Sequence, residues 1–121
     1  MFGSEKLAVW QKAIVFADEV YAVTGGFPTD ERLALGRRMR RLAVALSSNI
    51  AEGSIRRSRR DLPRFVEIST AIVFEMICLT RVAMKRGWLT EEQSAVLQFV
   101  AEDELRMLKG IRRSFGPDGG N

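Results

Sequence analysis

A chain of 121 residues with 46% apolar and 28% charged residues has the size and composition of one soluble globular domain, which excludes a chain that stays disordered for want of a core. The formal charge of +4 understates a concentrated field, because ten of the fifteen arginines lie between Arg32 and Arg64, where only Glu52 and Asp61 oppose them. There is no histidine and a single cysteine, Cys78, so intrachain disulfides, thiolate-imidazole catalysis and Cys/His zinc sites are excluded.

Met1 to Lys6 lacks a basic region followed by an unbroken apolar stretch, so no secretory leader is read there and a cytoplasmic location is expected. The first helix is predicted over about 5–24. Leu7, Trp10, Ile14, Ala17 and Tyr21 recur at helical spacing, and a second stripe of Val9, Phe16, Val20 and Val23 runs beside them. Gly25-Gly26-Phe27-Pro28 ends it, since paired glycines favour left-handed backbone and proline cannot continue the ladder.

The second helix is predicted over about 30–53, with Thr29 as its cap and Asp30 and Glu31 in the first turn, where the helix dipole favours negative charge. Leu35, Met39, Leu42, Leu46 and Ile50 form a bundle seam. At 100° per residue, Arg37, Arg41, Ser48 and Glu52 fall on the opposite side, flanked by Arg38 and Arg40. Gly53 closes this helix by supplying backbone freedom. The connection that follows adds Arg56, Arg57, Arg59 and Arg60, and either Ser58 or Asp61 caps the next helix.

The third helix, about 59–86, is stopped by Gly87. Its middle, Ala71 to Leu79, is apolar nearly all round, as expected of a helix covered on every side, and Cys78 within it reads as a buried inert thiol. Glu75 interrupts this run, which falls well short of a membrane span. A capping box at Thr90-Glu91-Glu92-Gln93 opens the fourth helix, about 91–113, with Leu97, Val100, Leu108, Ile111 and Phe115 toward the core. Residues 116–121 read as a flexible tail after a single domain over 1–115.

Short connections force each helix to reverse on the last, so the expected fold is all-α: an antiparallel up-down-up-down four-helix bundle. The double stripe of the first helix and the all-round apolar third helix exceed what one bundle core absorbs. That surplus predicts a homo-oligomer, unless the third helix is simply central in a tight monomer. Trp10, Phe16, Phe65, Phe74 and Phe99 all fall on apolar stripes and are expected in the core. Trp88, just after Gly87, is the aromatic placed either to be exposed or to pack over a bundle end.

Leu7-Ala8-Val9-Trp10-Gln11-Lys12-Ala13, Phe27-Pro28, Met39-Arg40-Arg41, the run Ser48-Asn49-Ile50-Ala51-Glu52-Gly53, Arg57-Ser58 and Phe65 together resemble the four-helix bundle proteins related to the 23S rRNA intervening-sequence protein. That family is distantly related to the accessory variability determinant of diversity-generating retroelements. The resemblance covers nearly the whole chain, and the Ser-Asn-Ile-Ala-Glu-Gly run is its most specific part. It implies a homo-oligomer, with a pentamer expected, associated with ribosomal RNA intervening sequences or with a reverse transcriptase. The chain departs from the family at Ala71-Ile72, where a glycine-serine pair is usual, and at Ala34 and Arg38, where glycine and glutamine are usual.

Two functions follow for the arginines. Arg37, Arg38, Arg40, Arg41, Arg56, Arg57, Arg59 and Arg60 could contact the phosphates of RNA or another nucleic acid. Alternatively the chain is a scaffold or adaptor that docks a protein such as a reverse transcriptase, with Arg37 and Arg41 pairing with Glu102, Asp103 and Glu104 within or between subunits. Trp10, Asn49, Glu52 and Gly53 read as a structural motif: a buried amide satisfying backbone groups, a carboxylate fixing Arg56 or Arg57, and a helix end held in one geometry. No enzymatic role is expected, since Asn49 and Glu52 have no nucleophile or base nearby. Neither is a cofactor or metal, because a bundle di-iron site needs histidine and a phosphate-cradling loop needs lysine at a spacing absent here.

Overall fold

The computed structural model describes residues 4–54 and 61–114, with side chains over 6–53 and 63–114. Its helices are α1 (Ser4–Thr24), α2 (Thr29–Arg32), α3 (Leu35–Ser54), α4 (Asp61–Lys85) and α5 (Glu91–Arg113), and no strand occurs among the described residues. α1 rests on α3 and α5, α3 also on α4, and α4 on α5, so the four long helices close a ring around one core. The fold is an all-α four-helix bundle.

Burial decides between the two stripes of α1. Val9, Ala13, Phe16 and Val20 are buried, whereas Leu7, Ile14 and Tyr21 are exposed. Hydrophobic spacing is equally good for both sets, and only the positions of α3 and α5 select one. At the end of α1 neither Gly25 nor Gly26 takes a left-handed conformation. The helix closes instead through tight bonds, Gly26 N–H to the Val23 carbonyl and Phe27 N–H to the Thr24 carbonyl, both at 3.2 Å. The buried Thr24 hydroxyl donates to the Val20 carbonyl at 2.8 Å.

Pro28, not Thr29, occupies the N-cap of α2, and no side chain caps it, although Asp30 and Glu31 do sit in the first turn. Where the sequence reads as one continuous helix, the chain breaks at Leu33-Ala34 and restarts at Leu35. The restart brings Gly36 hard against the end of α1. A Cβ on Gly36 would lie 3.4 Å from the Thr24 Cβ and 3.3 Å from the Glu31 carbonyl oxygen, so this corner favours a residue without a side chain. Beyond it the predicted seam holds: Met39, Leu46 and Ile50 are buried, and Leu35 and Leu42 pack partly buried against them.

α4 is covered on one side only. Val73, Met76, Thr80 and Ala83 are buried, but Ala71, Phe74, Cys78 and Val82 form an exposed outer stripe. Two expectations fail here, since Cys78 is an exposed thiol and Phe74 lies outside the core. A run with Glu75 as its one charged residue hides the inner face, because periodicity has little to contrast. The helix ends in a Schellman motif: Gly87 takes φ +81°, its N–H donates to the Met84 carbonyl at 2.9 Å, and the Trp88 N–H reaches the Ala83 carbonyl at 2.9 Å. Trp88 then folds over the bundle end, 5.9 Å from the Phe27 ring.

α5 begins with the full capping box. Thr90 Oγ1 accepts from the Gln93 N–H at 3.0 Å, and Gln93 Oε1 accepts from the Thr90 N–H at 2.9 Å. Thr90→Ala removes the first bond and unseats the second, so a loss of about 1 kcal/mol in urea unfolding is expected. Leu97, Val100, Leu108 and Ile111 are buried, while Phe99, expected inside, is 69% exposed. Phe115 and the tail lie outside the described residues.

Candidate nucleic-acid interface

The α3 arginines separate into two kinds. Arg37 and Arg41 are exposed on one side with Ser48 and Glu52, opposite the buried Met39, Leu46 and Ile50. Neither arginine makes a hydrogen bond or ion pair among the described residues. Arg38, also exposed, forms an ion pair with Glu75 of α4. Arg40 is half-buried and works as a strut: it donates to Thr24 Oγ1 and to the Arg32 carbonyl, each at 3.0 Å, and lies 5.9 Å above the Tyr21 ring. Arg56, Arg57, Arg59 and Arg60 lie outside the described residues.

The carboxylates of α5 do not turn toward these arginines within the chain. Asp103 is held by Lys12 at 3.1 Å and by Arg106, and the Arg106 and Lys12 hydrogen bonds lower its pKa. Glu104 is fully buried. Neither of its carboxyl oxygens has a hydrogen-bond partner, and desolvation, aided by the neighbouring Asp103 charge and only partly opposed by Lys12, pushes its pKa up to about 8. The guanidiniums of Arg37 and Arg41 are therefore exposed, with no carboxylate counterion among the described residues.

The motif next to the arginines is a packing joint. Asn49 is half-buried and its amide donates to the Phe65 carbonyl at 3.1 Å and to Ser69 Oγ at 2.7 Å, tying the end of α3 to the start of α4. Gly53 is buried inside the helix and is not in the left-handed region. Its role differs from the one read in the sequence: a Cβ there would stand 2.5 Å from Phe65 Cγ, so glycine is needed for the close approach of the ring. Trp10 packs half-buried against the core, and Glu52 is exposed on the side of Arg37 and Arg41.

Two features escaped the sequence reading. Glu104 continues the buried series Leu97, Val100, Leu108 and Ile111 in helical register, a signal hidden because it was grouped with Glu102 and Asp103 as an ion-pair partner for Arg37 and Arg41. The second is a groove of about 760 Å³ on the outer side of α4 and α5, lined by Val66, Ala71, Phe74 and Leu105 with Glu67, Glu102, Arg106, Lys109 and Arg112 at its borders. No group of three metal-ligating side chains occurs among the described residues. None of the described helices is long and apolar enough to cross a membrane.

The family model described as 23S rRNA-intervening sequence protein matches residues 5–110, spanning α1 to all but the last turn of α5. No curated protein matches the chain.

Proposed function

The chain belongs to the 23S rRNA-intervening sequence protein family, and from that premise we propose that it is a non-enzymatic, homo-oligomeric helical bundle that binds RNA through an arginine face on α3 and the α3–α4 connection. The observation that carries this reading is the pair Arg37 and Arg41, exposed on one side of a helix with no ion-pair partner among the described residues. A guanidinium left in that state is matched to phosphate, because its planar fork donates to two oxygens at once and binding releases condensed counterions from the nucleic acid. Arg38 remains exposed beside Glu75 and adds to the face, whereas Arg40 contributes charge while bracing α1. Arg56, Arg57, Arg59 and Arg60 extend the same positive stretch of sequence.

An antiparallel course belongs to this proposal. It is supported by Arg38 pairing with Glu75 while Asn49, later in α3, bonds Ser69, earlier in α4. Assembly is supported by the exposed Phe74 and Phe99, and it would repeat the arginine face once per subunit.

Binding of a labelled structured RNA is expected to weaken steeply as salt rises from about 50 to 200 mM. Arg37→Ala/Arg41→Ala should lower the slope of log K against log salt by about 2, one per lost phosphate contact, and equally for unrelated RNA sequences. No binding at the lowest salt overturns the proposal.

A further inference from the structure

Phe74, Phe99 and Tyr21 are the exposed large aromatic side chains among the described residues. Phe74 and Phe99 line grooves made by α4 and α5 alone, with no residue of α3 in their walls. Tyr21, 53% exposed near the end of α1, differs from both: the Arg40 guanidinium lies over it, 5.9 Å from the ring centroid. That guanidinium is firmly held. It donates to Thr24 Oγ1 and to the Arg32 carbonyl at 3.0 Å each, and the Thr24 hydroxyl is itself fixed by donating to the Val20 carbonyl at 2.8 Å. A Cβ on Gly36 would stand 3.1 Å from Arg40 Nη1, so the missing side chain there gives the guanidinium its room. An aromatic ring and an arginine plane are thus set in place before any ligand arrives. They stand at the edge of the arginine row, because Arg37 is three residues from Arg40 on α3, with about 5–6 Å between Cβ atoms at that spacing.

We infer that Tyr21, steadied by Arg40, is a stacking platform for one unpaired base of an RNA whose phosphates lie along Arg37 and Arg41. The inference rests on the RNA-binding reading and narrows its ligand to RNA with unpaired nucleotides, as in a loop, a bulge or a single strand. In a duplex each base is stacked between its neighbours and its flat face is taken, whereas a loop nucleotide can offer that face to an aromatic ring. Stacking tolerates any sequence because every base has a π-face, and each stacked base tightens binding from about fivefold to about a hundredfold. Both terminal nitrogens of Arg40 already donate within the chain, so this arginine positions the ring while Arg37 and Arg41 take phosphate. Nearby carboxylates set the course of the strand. Asp18, one turn before Tyr21 on α1, and Asp30 and Glu31 in α2 repel phosphate. The backbone of the bound strand is therefore turned toward α3, and its base toward α1.

The test uses the full chain and two RNAs with equal numbers of phosphates, a hairpin with an unpaired loop and a blunt duplex. At one salt concentration the wild type is expected to bind the hairpin at least about fivefold more tightly than the duplex. Tyr21→Leu should erase that preference and leave the duplex affinity, and its dependence on salt, as in the wild type. Tyr21→Phe keeps the ring and should keep the preference. A 5-iodouridine in the loop should crosslink to Tyr21 under long-wavelength light, with the attachment site read by mass spectrometry. Position 21 is exposed, so far-UV circular dichroism of both variants should match the wild type; if either fails to fold, the crosslink on the wild type decides. Failure of both RNAs to bind at the lowest salt overturns this inference together with the RNA-binding reading. Equal binding of hairpin and duplex, a preference that survives Tyr21→Leu, or a crosslink that forms elsewhere than at Tyr21 overturns this inference alone.

Discussion

Glu104→Gln is expected to stabilise the bundle at neutral and alkaline pH and to remove most of the pH dependence of its stability on that side. The wild-type carboxyl is buried without a hydrogen-bond partner, and its pKa is raised to about 8 from the ordinary carboxyl value of 4.5, chiefly by desolvation. Between those two values the unfolded chain carries a carboxylate while the folded chain holds a proton. Folding therefore takes up a proton, and stability falls as pH rises by at most about 1.4 kcal/mol per unit for this group. The contribution is complete below the unfolded value and is lost as pH rises through the folded one. Asp103 works in the opposite sense: its lowered pKa, caused first by the Arg106 hydrogen bond and then by Lys12, supplies stability that is lost in acid.

Urea unfolding at several pH values checks the sign. The wild type should lose several kcal/mol between about pH 5 and 8, and Glu104→Gln should be nearly flat over that window. Glu104→Leu, which leaves no polar atom to bury, should be flat as well and more stable than either. A wild type whose stability rises with pH from 5 to 8 would show that Glu104 is ionised and paired in the fold, contrary to this account.

Gly53→Ala carries the largest expected loss. In an exposed helix interior that change gains up to about 1 kcal/mol, because alanine restricts the unfolded chain and suits the helix. At Gly53 the added carbon meets the Phe65 ring 2.5 Å from Cγ, well inside van der Waals contact. The ring is itself buried, and Asn49 fixes the Phe65 carbonyl at 3.1 Å, so the backbone of α4 cannot withdraw without breaking that bond. Overpacking of this kind costs about 1–3 kcal/mol, which outweighs the helix gain and leaves a net loss on the order of 1–2 kcal/mol. In a Phe65→Leu background the clash is relieved and the same substitution should become neutral or mildly stabilising. The difference, read as a double-mutant cycle, isolates the steric conflict from helix propensity. A stabilising Gly53→Ala in the native background would fail the explanation.

Much of the architecture was legible from residue order. The seam of Met39, Leu46 and Ile50, the stop at Gly87 and the capping box of Thr90 and Gln93 all depend on neighbours within a turn or two. Spacing and side-chain type therefore suffice to specify them. The outward placement of Arg37 and Arg41 was equally plain, because four charged side chains on one helix leave the apolar seam only one direction to face.

Other features involve residues distant in the chain, and there local signals ran out. Both stripes of α1 have the spacing of a core face, and only the flanking α3 and α5 choose Val9, Phe16 and Val20 over Leu7, Ile14 and Tyr21. Phe74, Phe99 and Cys78 looked internal because hydrophobicity records a side chain's aversion to water and not whether a neighbouring helix arrives to cover it. Gly53 looked like a hinge, yet its requirement comes from a ring twelve residues further along the chain on another helix. Local sequence thus determined the helices and the charged face. Only tertiary packing decided which apolar stripe went inside, that Glu104 was enclosed without a partner, and which oily surfaces were left for another molecule, because burial is a property of what surrounds a residue and not of the residue itself.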